Sequence, residues 1–448
     1  MKRPVWILHV LVVGLALHNF VMAELYAAGV RGTALDVVSA WKDALLAVGL
    51  LLVFRLHVLR QDGSFRVRPA PIDWLAICFG GLVVVYGLIP QHVLGGSATH
   101  HGVLLGARED LLPVGAYFFG RGLDLSVGEA RRLAVTVLAS AVGVAAFGLV
   151  DIYAIPLSWW RSSGVPDWFR YQLGFDYKGL SNLPENFVYN TGNEHPLRRL
   201  VSVFLSPLAT SYMLVVALLL ATTWRLRLRA RLGVWVPTTV LLYAGLLWTH
   251  SRSSLLALAL GLVVFALVRP QWRVALLGAA VLVVVTGLLF VKAYPHIAPS
   301  TTFTASELAE QRQNAHKAGA GPAVSGFEDA STSSHLRSLR DGIKRVIEHP
   351  QGFGPGNAGS TASRTNVQVQ AGESTYTQVG SDTGLVGGLV FAAWCLALLR
   401  RVTRCTAWLG AALAAMLALG LQTDIIGVPW VVCLLWPLSG WRVSHPET

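Results

Sequence analysis

Long apolar stretches recur along the whole chain, each able, as a helix rising about 1.5 Å per residue, to cross or nearly cross a hydrocarbon core of roughly 30 Å. They run Val5 to Ala28, Ala34 to Arg55, Ile72 to Pro90, Val103 to Phe119, Leu133 to Ile155 and Leu200 to Trp224. The second half adds Val234 to Trp248, Leu255 to Val268, Val274 to Phe290, Thr377 to Leu399, Thr406 to Gln422 and Ile425 to Trp441. In hydrocarbon a segment must bond its own backbone N–H and C=O groups, so repeated runs of this kind become helices. The expected fold is all-α: a polytopic membrane protein with about twelve transmembrane helices in one integral membrane domain over residues 1–448. Composition agrees, with 54% hydrophobic and 13% charged residues and a mean hydropathy of +0.54, which excludes an ordinary soluble domain.

Basic side chains set the orientation, because short loops rich in Lys and Arg stay in the cytoplasm. Lys2 and Arg3, then Arg55, Arg60, Arg66 and Arg68, then Arg121, Arg131 and Arg132 fall in alternate loops. Arg225, Arg227, Arg229 and Arg231, then Arg269 and Arg273, then Arg400, Arg401 and Arg404 continue the pattern. Both termini are therefore expected in the cytoplasm. The formal net charge of +12 is then a topology signal, and nucleic acid is not an expected partner. Cys78, Cys395, Cys405 and Cys433 sit in or beside apolar spans without metal-ligand spacing, so neither a disulfide nor a metal is expected. Lys2 and Arg3 ahead of an apolar run ending near Val21-Met22-Ala23 imitate a signal peptide. The apolar run continues to Ala28, however, and its removal would break the alternation of charged loops, so it counts as the first span.

Two longer polar segments fall on the outward side. The first, residues 157–199, carries Trp159, Trp160, Trp168, Phe169 and Tyr171, whose rings could anchor a helix at the interface or grip sugar rings. The second, residues 294–376, is a large helical loop before the last three spans. Thr304 to Lys317 and Ser334 to Glu348 have helical composition, with Ala318 to Asp329 as loop. Leu336, Leu339, Ile343 and Ile347 share one face of the second helix, which is expected to pack onto the membrane domain, with His335, Arg337, Arg340 and Lys344 at its edge.

The outward arginines bear most directly on chemistry. Arg252, in Thr249-His250-Ser251-Arg252-Ser253-Ser254, stands in a short outward turn that the positive-inside bias should have emptied. It either closes the end of the preceding helix or forms part of an anion site. Arg198 and Arg199 stand at another outward entry, where snorkelling is the bland alternative. Guanidinium groups converging from separate loops suit a diphosphate, because the planar fork holds two oxygens and keeps its charge. At an outer membrane face that ligand is a polyprenyl diphosphate carrying a glycan, and arginines can stabilise its departing pyrophosphate without metal. The outward loops hold no Asp-x-Asp pair, and no cofactor is expected. The attacking hydroxyl needs a base. Glu373 is the first candidate, with its place near a helix N-terminus as the structural alternative, and His335 and His250 follow. His349, beside Pro350, Gly352, Gly354 and Gly356, reads as part of a tight structural loop.

These residues give the chain a resemblance. Arg199-Leu200-Val201-Ser202 through Pro207, Thr249 to Ser254, His349-Pro350 through Gly356, and Glu373 through Gly387 follow one another as elements do in the O-antigen ligase and polysaccharide polymerase superfamily of bacterial envelope enzymes. The resemblance implies an inner-membrane glycosyltransferase, independent of metal, with its large loop in the periplasm. It would move a glycan from an undecaprenyl-diphosphate-type donor onto an acceptor glycan or lipid A-core, among membrane lipids, with inversion at the anomeric carbon. Arg199 and Arg252, helped by Arg337 or Arg340, would hold the diphosphate, with Arg198 and His250 as secondary candidates. Glu373 would serve as base, oriented by His335 or sharing the proton with it. The chain departs from the ligases, which have His-Asn where it has Glu373-Ser374 and often Arg where it has His335. The Glu-Ser form is closer to O-antigen and exopolysaccharide polymerases. A polymerase is therefore expected ahead of a ligase, with a flippase for lipid-linked oligosaccharide as the alternative from another class.

Overall fold

The computed structural model describes residues 4–58, 69–175, 183–189, 195–228, 231–309, 330–372 and 374–445, with the backbone alone at 56–58, 185, 224–228 and 330–335. The described chain is helical apart from one short antiparallel pairing, Val188–Tyr189 with Leu197–Arg198. Five helices are long and apolar enough to cross a membrane: Trp6–Ala27, Pro71–Leu88, Val127–Ala154, Pro270–Ile297 and Thr375–Cys405. A sixth span arises if Thr33–Ser39 and Trp41–Arg55, bent by 41°, are taken together. The remaining expected spans meet shorter apolar helices at Pro207–Thr223, Leu232–Trp248, Arg252–Val268 and Ala407–Leu419. His100–Arg121 is long, but Arg108, Glu109 and Asp110 lie within it. The fold is thus that of a helical bundle suited to multiple membrane crossings, with exposed Leu and Val along helices such as Arg273–Ile297 offering an apolar surface to lipid.

Helix ends follow local chemistry. Pro71 and Pro429 open their helices, where a missing N–H costs nothing, and Ser126 with Glu129 forms a capping box ahead of Val127–Ala154. Small residues set the closest helix contact. Gly120 and Gly440 face backbone of the opposing helix, and a Cβ on either would collide with Pro437 O or Tyr117 O. Such contacts let membrane helices approach where burial of apolar surface gives no drive.

The connections sort to two ends of the bundle. At one end Arg121 Nη2 pairs with Asp73 Oδ2 at 2.7 Å, and Tyr117 Oη donates to Asp73 Oδ1 at 2.6 Å. Asp73 Oδ2 also accepts from the Ala70 backbone at 2.7 Å, so this pair fixes the start of one helix to the end of another. Arg121→Met leaves a buried carboxylate without its cation. A loss of about 3–5 kcal/mol is expected, read as a lowered unfolding midpoint in detergent, whereas an unchanged midpoint would show the pair to be incidental.

At the other end lie the residues that the sequence singled out. Leu200 N donates to Trp248 O at 3.0 Å, Arg161 Nη2 meets Glu307 Oε2 at 2.7 Å, and Thr375 N donates to Gly420 O at 3.0 Å. Trp160, Trp168 and Phe169 are buried in a second core at this end, while Trp159 and Tyr171 stay exposed.

The second loop helix runs Ala330–Glu348, but its packing corrects the expected face. Leu336, Ile343 and Ile347 are exposed at 60%, 47% and 64%, and Gly342 and Val346 are the buried positions. Gly342 lies against Thr377 so closely that a Cβ would come within 2.8 Å of it. Close approach at a residue without a side chain decides the rotation, and the larger apolar residues are turned away. Of the expected helix over 304–317, residues 305–309 are helical; the rest of it and the expected loop over 318–329 lie outside the described residues.

Candidate active site

Arg199 follows the short strand pair and donates Nε to Thr249 O at 3.0 Å, which ties it to the turn that carries His250 and Arg252. That turn is tight: Thr249 Oγ1 donates to Leu246 O at 2.6 Å, and His250 takes the left-handed backbone conformation with φ of 50°. Ser251 then caps the next helix, and Ser254 Oγ lies 2.7 Å from Ser211 Oγ on Pro207–Leu228. Arg252 is therefore the first residue of a capped helix, fixed against a second one. Ser251 makes the N-cap of the helix that Arg252 opens, and Thr249 stands at the C-cap of the preceding one.

Arg199 is buried and feels the charge of Arg252. Burial first, and the Arg252 charge in addition, bring Arg199 down to about 10, so it remains a cation at neutral pH. His250 lies between the rings of Tyr189 and Tyr294, at 4.4 and 4.3 Å between centroids. Burial, then Arg199 and Arg252, lower it to about 3, so the imidazole is neutral and a weak proton acceptor. The linkage has a definite sign. Between about 3 and the ordinary 6.5 the unfolded chain binds a proton that the folded chain does not, so this contribution is present above 6.5 and is lost as pH falls. Relative to His250→Asn, which tolerates the positive φ, the wild type should lose about 2 kcal/mol of stability on going from pH 7 to pH 5. Unfolding midpoints of the two proteins across that range check it; parallel curves would contradict it.

Arg198 points elsewhere. Its Nη2 meets Asp151 Oδ1 at 3.2 Å and its Nη1 donates to Ile155 O at 2.8 Å, while Trp160 Nε1 donates to the same Asp151 oxygen at 2.6 Å. The Tyr294 hydroxyl donates to Arg198 O. This guanidinium fixes the strand pair to Val127–Ala154, whereas the adjacent Arg199 bonds the turn at Thr249.

Two adjoining hollows, of about 360 and 540 Å³, open at the same end and share Ser206, Ala209, Ser360, Gly427 and Val428 in their walls. Leu208 and Tyr212 line the larger one and flank Ser211, whose hydroxyl meets Ser254 on the helix that Arg252 opens. Glu109 lines one hollow and Asp424 the other, and their side chains hydrogen-bond to each other. Burial, with the Glu109 charge next, pushes Asp424 well above the usual carboxylate range. Gln378 Nε2 and Thr361 Oγ1 donate to Glu109 at 2.8 and 2.9 Å. Glu109 lies within the apolar run Val103 to Phe119, and nothing in the sequence joined it to Asp424.

The glycine-rich loop after His349 is structural, as its composition suggested. His349 stacks on Phe353 at 4.0 Å and its Nε2 lies 2.9 Å from Leu94 O. Asn357 accepts from Ser97 N and Ala98 N at 2.8 and 3.0 Å. Backbone N–H groups of Gly356, Asn357 and Ala358 bond the Asp382 carboxylate, just before the helix kinks at Gly384 with φ of 72°. The loop thereby fixes the wall beside Gln378.

Among the other candidates, Arg337 and Arg340 are exposed on their helix, which contributes Ser338 to the larger hollow. Glu373 and the His335 side chain lie outside the described residues. The sequence neighbours of Glu373 are placed: Gly372 lines the larger hollow and Ser374 Oγ donates to Gly420 O at 3.1 Å.

The stretch from the Leu232–Trp248 helix through the His250 turn and the large loop into Thr375–Cys405 is also the part of the chain that matches a known family. Residues 237–392 carry the O-Antigen ligase family domain. Members of this family are membrane glycosyltransferases of ligase or polymerase type that use lipid-linked glycans. The O-antigen ligase domain contains Arg252, His335 and Glu373, and Arg199 reaches it from outside through Thr249. No curated protein matches the chain.

Proposed function

We propose that the protein transfers a glycan from a polyprenyl-diphosphate donor to a hydroxyl of an acceptor sugar, at the periplasmic face of a bacterial inner membrane and without metal. The observation that carries this reading is the tie of Arg199 to the turn that presents Arg252, at one end of an apolar bundle. Two adjacent guanidinium groups repel each other, and a diphosphate relieves that repulsion with two bidentate contacts. As the anomeric carbon–oxygen bond breaks, the electron pair passes to the pyrophosphate, where the same two cations stabilise the growing charge. The acceptor hydroxyl forms the new bond and gives its proton to Glu373, with His335 orienting the carboxylate or sharing that proton. Arg337 and Arg340 supply further positive charge from the loop helix.

Within the family, Glu373-Ser374 supports a polymerase, because ligases have His-Asn there. Purified protein, lipid-linked oligosaccharide and candidate acceptors distinguish the outcomes. A ladder of products is expected; one mass shift of lipid A-core would make the protein a ligase, and flipping without a covalent product would overturn the enzyme reading.

A further inference from the structure

The smaller hollow has a polar wall that the transfer chemistry does not use. Lys42 is 6% exposed and donates Nζ to Ser39 O at 2.8 Å, yet among the described residues it forms no ion pair. Its neighbour Asp43 is committed to Arg108, which binds it through Nε and Nη2 at 2.9 and 2.7 Å. Beside Lys42 stands His18, whose Nδ1 accepts from Trp41 Nε1 at 3.1 Å. In a neutral imidazole that places the ring proton on Nε2. Nε2 is then a donor 3.1 Å from a second donor, the Lys42 ammonium. Two donors cannot satisfy each other, whereas one oxyanion can accept from both.

The rest of the lining narrows the ligand. Trp168 and Phe169 give the hollow aromatic faces, and Asn19, Ser206 and Ser360 give it hydroxyl and amide groups. Asp36 and Glu109 line it as well, as do Arg364 and Arg108, the latter paired with Asp43, so the wall carries both signs and suits a ligand with one acidic group and hydroxyls to donate. Aromatic faces, neutral polar groups, carboxylates, two arginines and one ammonium–imidazole donor pair suit a sugar ring that bears a single acidic group.

We propose that this hollow is the acceptor subsite and binds a uronic-acid residue of the acceptor glycan, whose carboxylate accepts from Lys42 Nζ and His18 Nε2. The term acceptor rests on the transferase reading above. The binding itself requires neither donor nor transfer, so the two readings can fail separately. A monoanionic phosphate on a lipid headgroup offers similar acceptor oxygens, and the test separates it.

The full chain is reconstituted in phosphatidylcholine nanodiscs and titrated calorimetrically with glucuronic-acid and galacturonic-acid disaccharides and with their carboxyl-reduced counterparts. At least one acid should bind about tenfold more tightly than its reduced form, the margin of one charge-assisted hydrogen bond. Lys42→Gln should erase that margin and leave the reduced probe unaffected. Lys42→Arg should keep most of it, which shows that the charge and not the fold is being read. Equal affinities for acid and reduced forms in the wild type, or a margin that survives Lys42→Gln, would overturn the proposal. The titration is repeated in discs containing phosphatidylglycerol. Unchanged affinity supports the saccharide, and loss of acid binding there assigns the site to a lipid phosphate and overturns it.

Discussion

Arg252→Ala and Arg199→Ala should each lower glycan transfer by about 10²–10³-fold, with most of the loss in kcat, since a cation aimed at the departing pyrophosphate acts chiefly in the transition state. The two act on one group, so the double variant should fall little further than either alone. Arg252→Lys should recover part of the rate, because a point charge replaces half of what the planar fork does. Arg199 also bonds Thr249 O, so its removal loosens the turn as well as the charge. Unfolding midpoints separate the two effects: a variant that is inactive yet as stable as wild type has lost chemistry. Arg198→Ala is the contrast, expected to fail mainly in stability, because it leaves the buried Asp151 without its cation. If Arg199→Ala and Arg252→Ala both transfer at the wild-type rate, the diphosphate site is elsewhere.

Glu373→Gln should cost a further separate factor of about 10²–10⁴, the range for loss of a positioned base, while donor binding persists. Exchange of partners, Glu373→His with His335→Glu, should restore part of the rate if the two share a proton, and neither single exchange should. Full transfer by Glu373→Ala would remove it from the mechanism. The Glu109–Asp424 pair is then the group to test, because the two side chains hydrogen-bond to each other in the walls of the two hollows. Asp424→Asn distinguishes them: it should leave transfer intact if Glu373 is the base.

Much of this was legible in the sequence, for identifiable reasons. Hydropathy is a local signal, and it marked the long apolar helices. Arg252 was conspicuous because it violates the charge rule. The role of Arg198 was not legible, since its partner Asp151 is buried within an apolar run nearly fifty residues earlier (|i−j| = 47). The Glu109–Asp424 contact joins distant spans and has no periodicity to reveal it. The rotation of Ala330–Glu348 was misread because hydrophobic spacing assumes that large apolar residues seek the protein interior. Beside a membrane they need not, and Gly342 packs instead. Trp168 and Phe169 stood out in the sequence as aromatic residues in a polar segment, and the fold puts them at a cavity wall.

The central claim is that bond breaking at the donor and bond making at the acceptor are one event. It is tested most directly by counting polyprenyl diphosphate released against glycosidic bonds formed, with purified protein, a labelled lipid-linked oligosaccharide and excess chelator. One diphosphate per bond is expected, with the ratio and the rate unchanged by the chelator and both products lost together in Arg252→Ala. Donor that crosses the bilayer intact, with no diphosphate released, would contradict it.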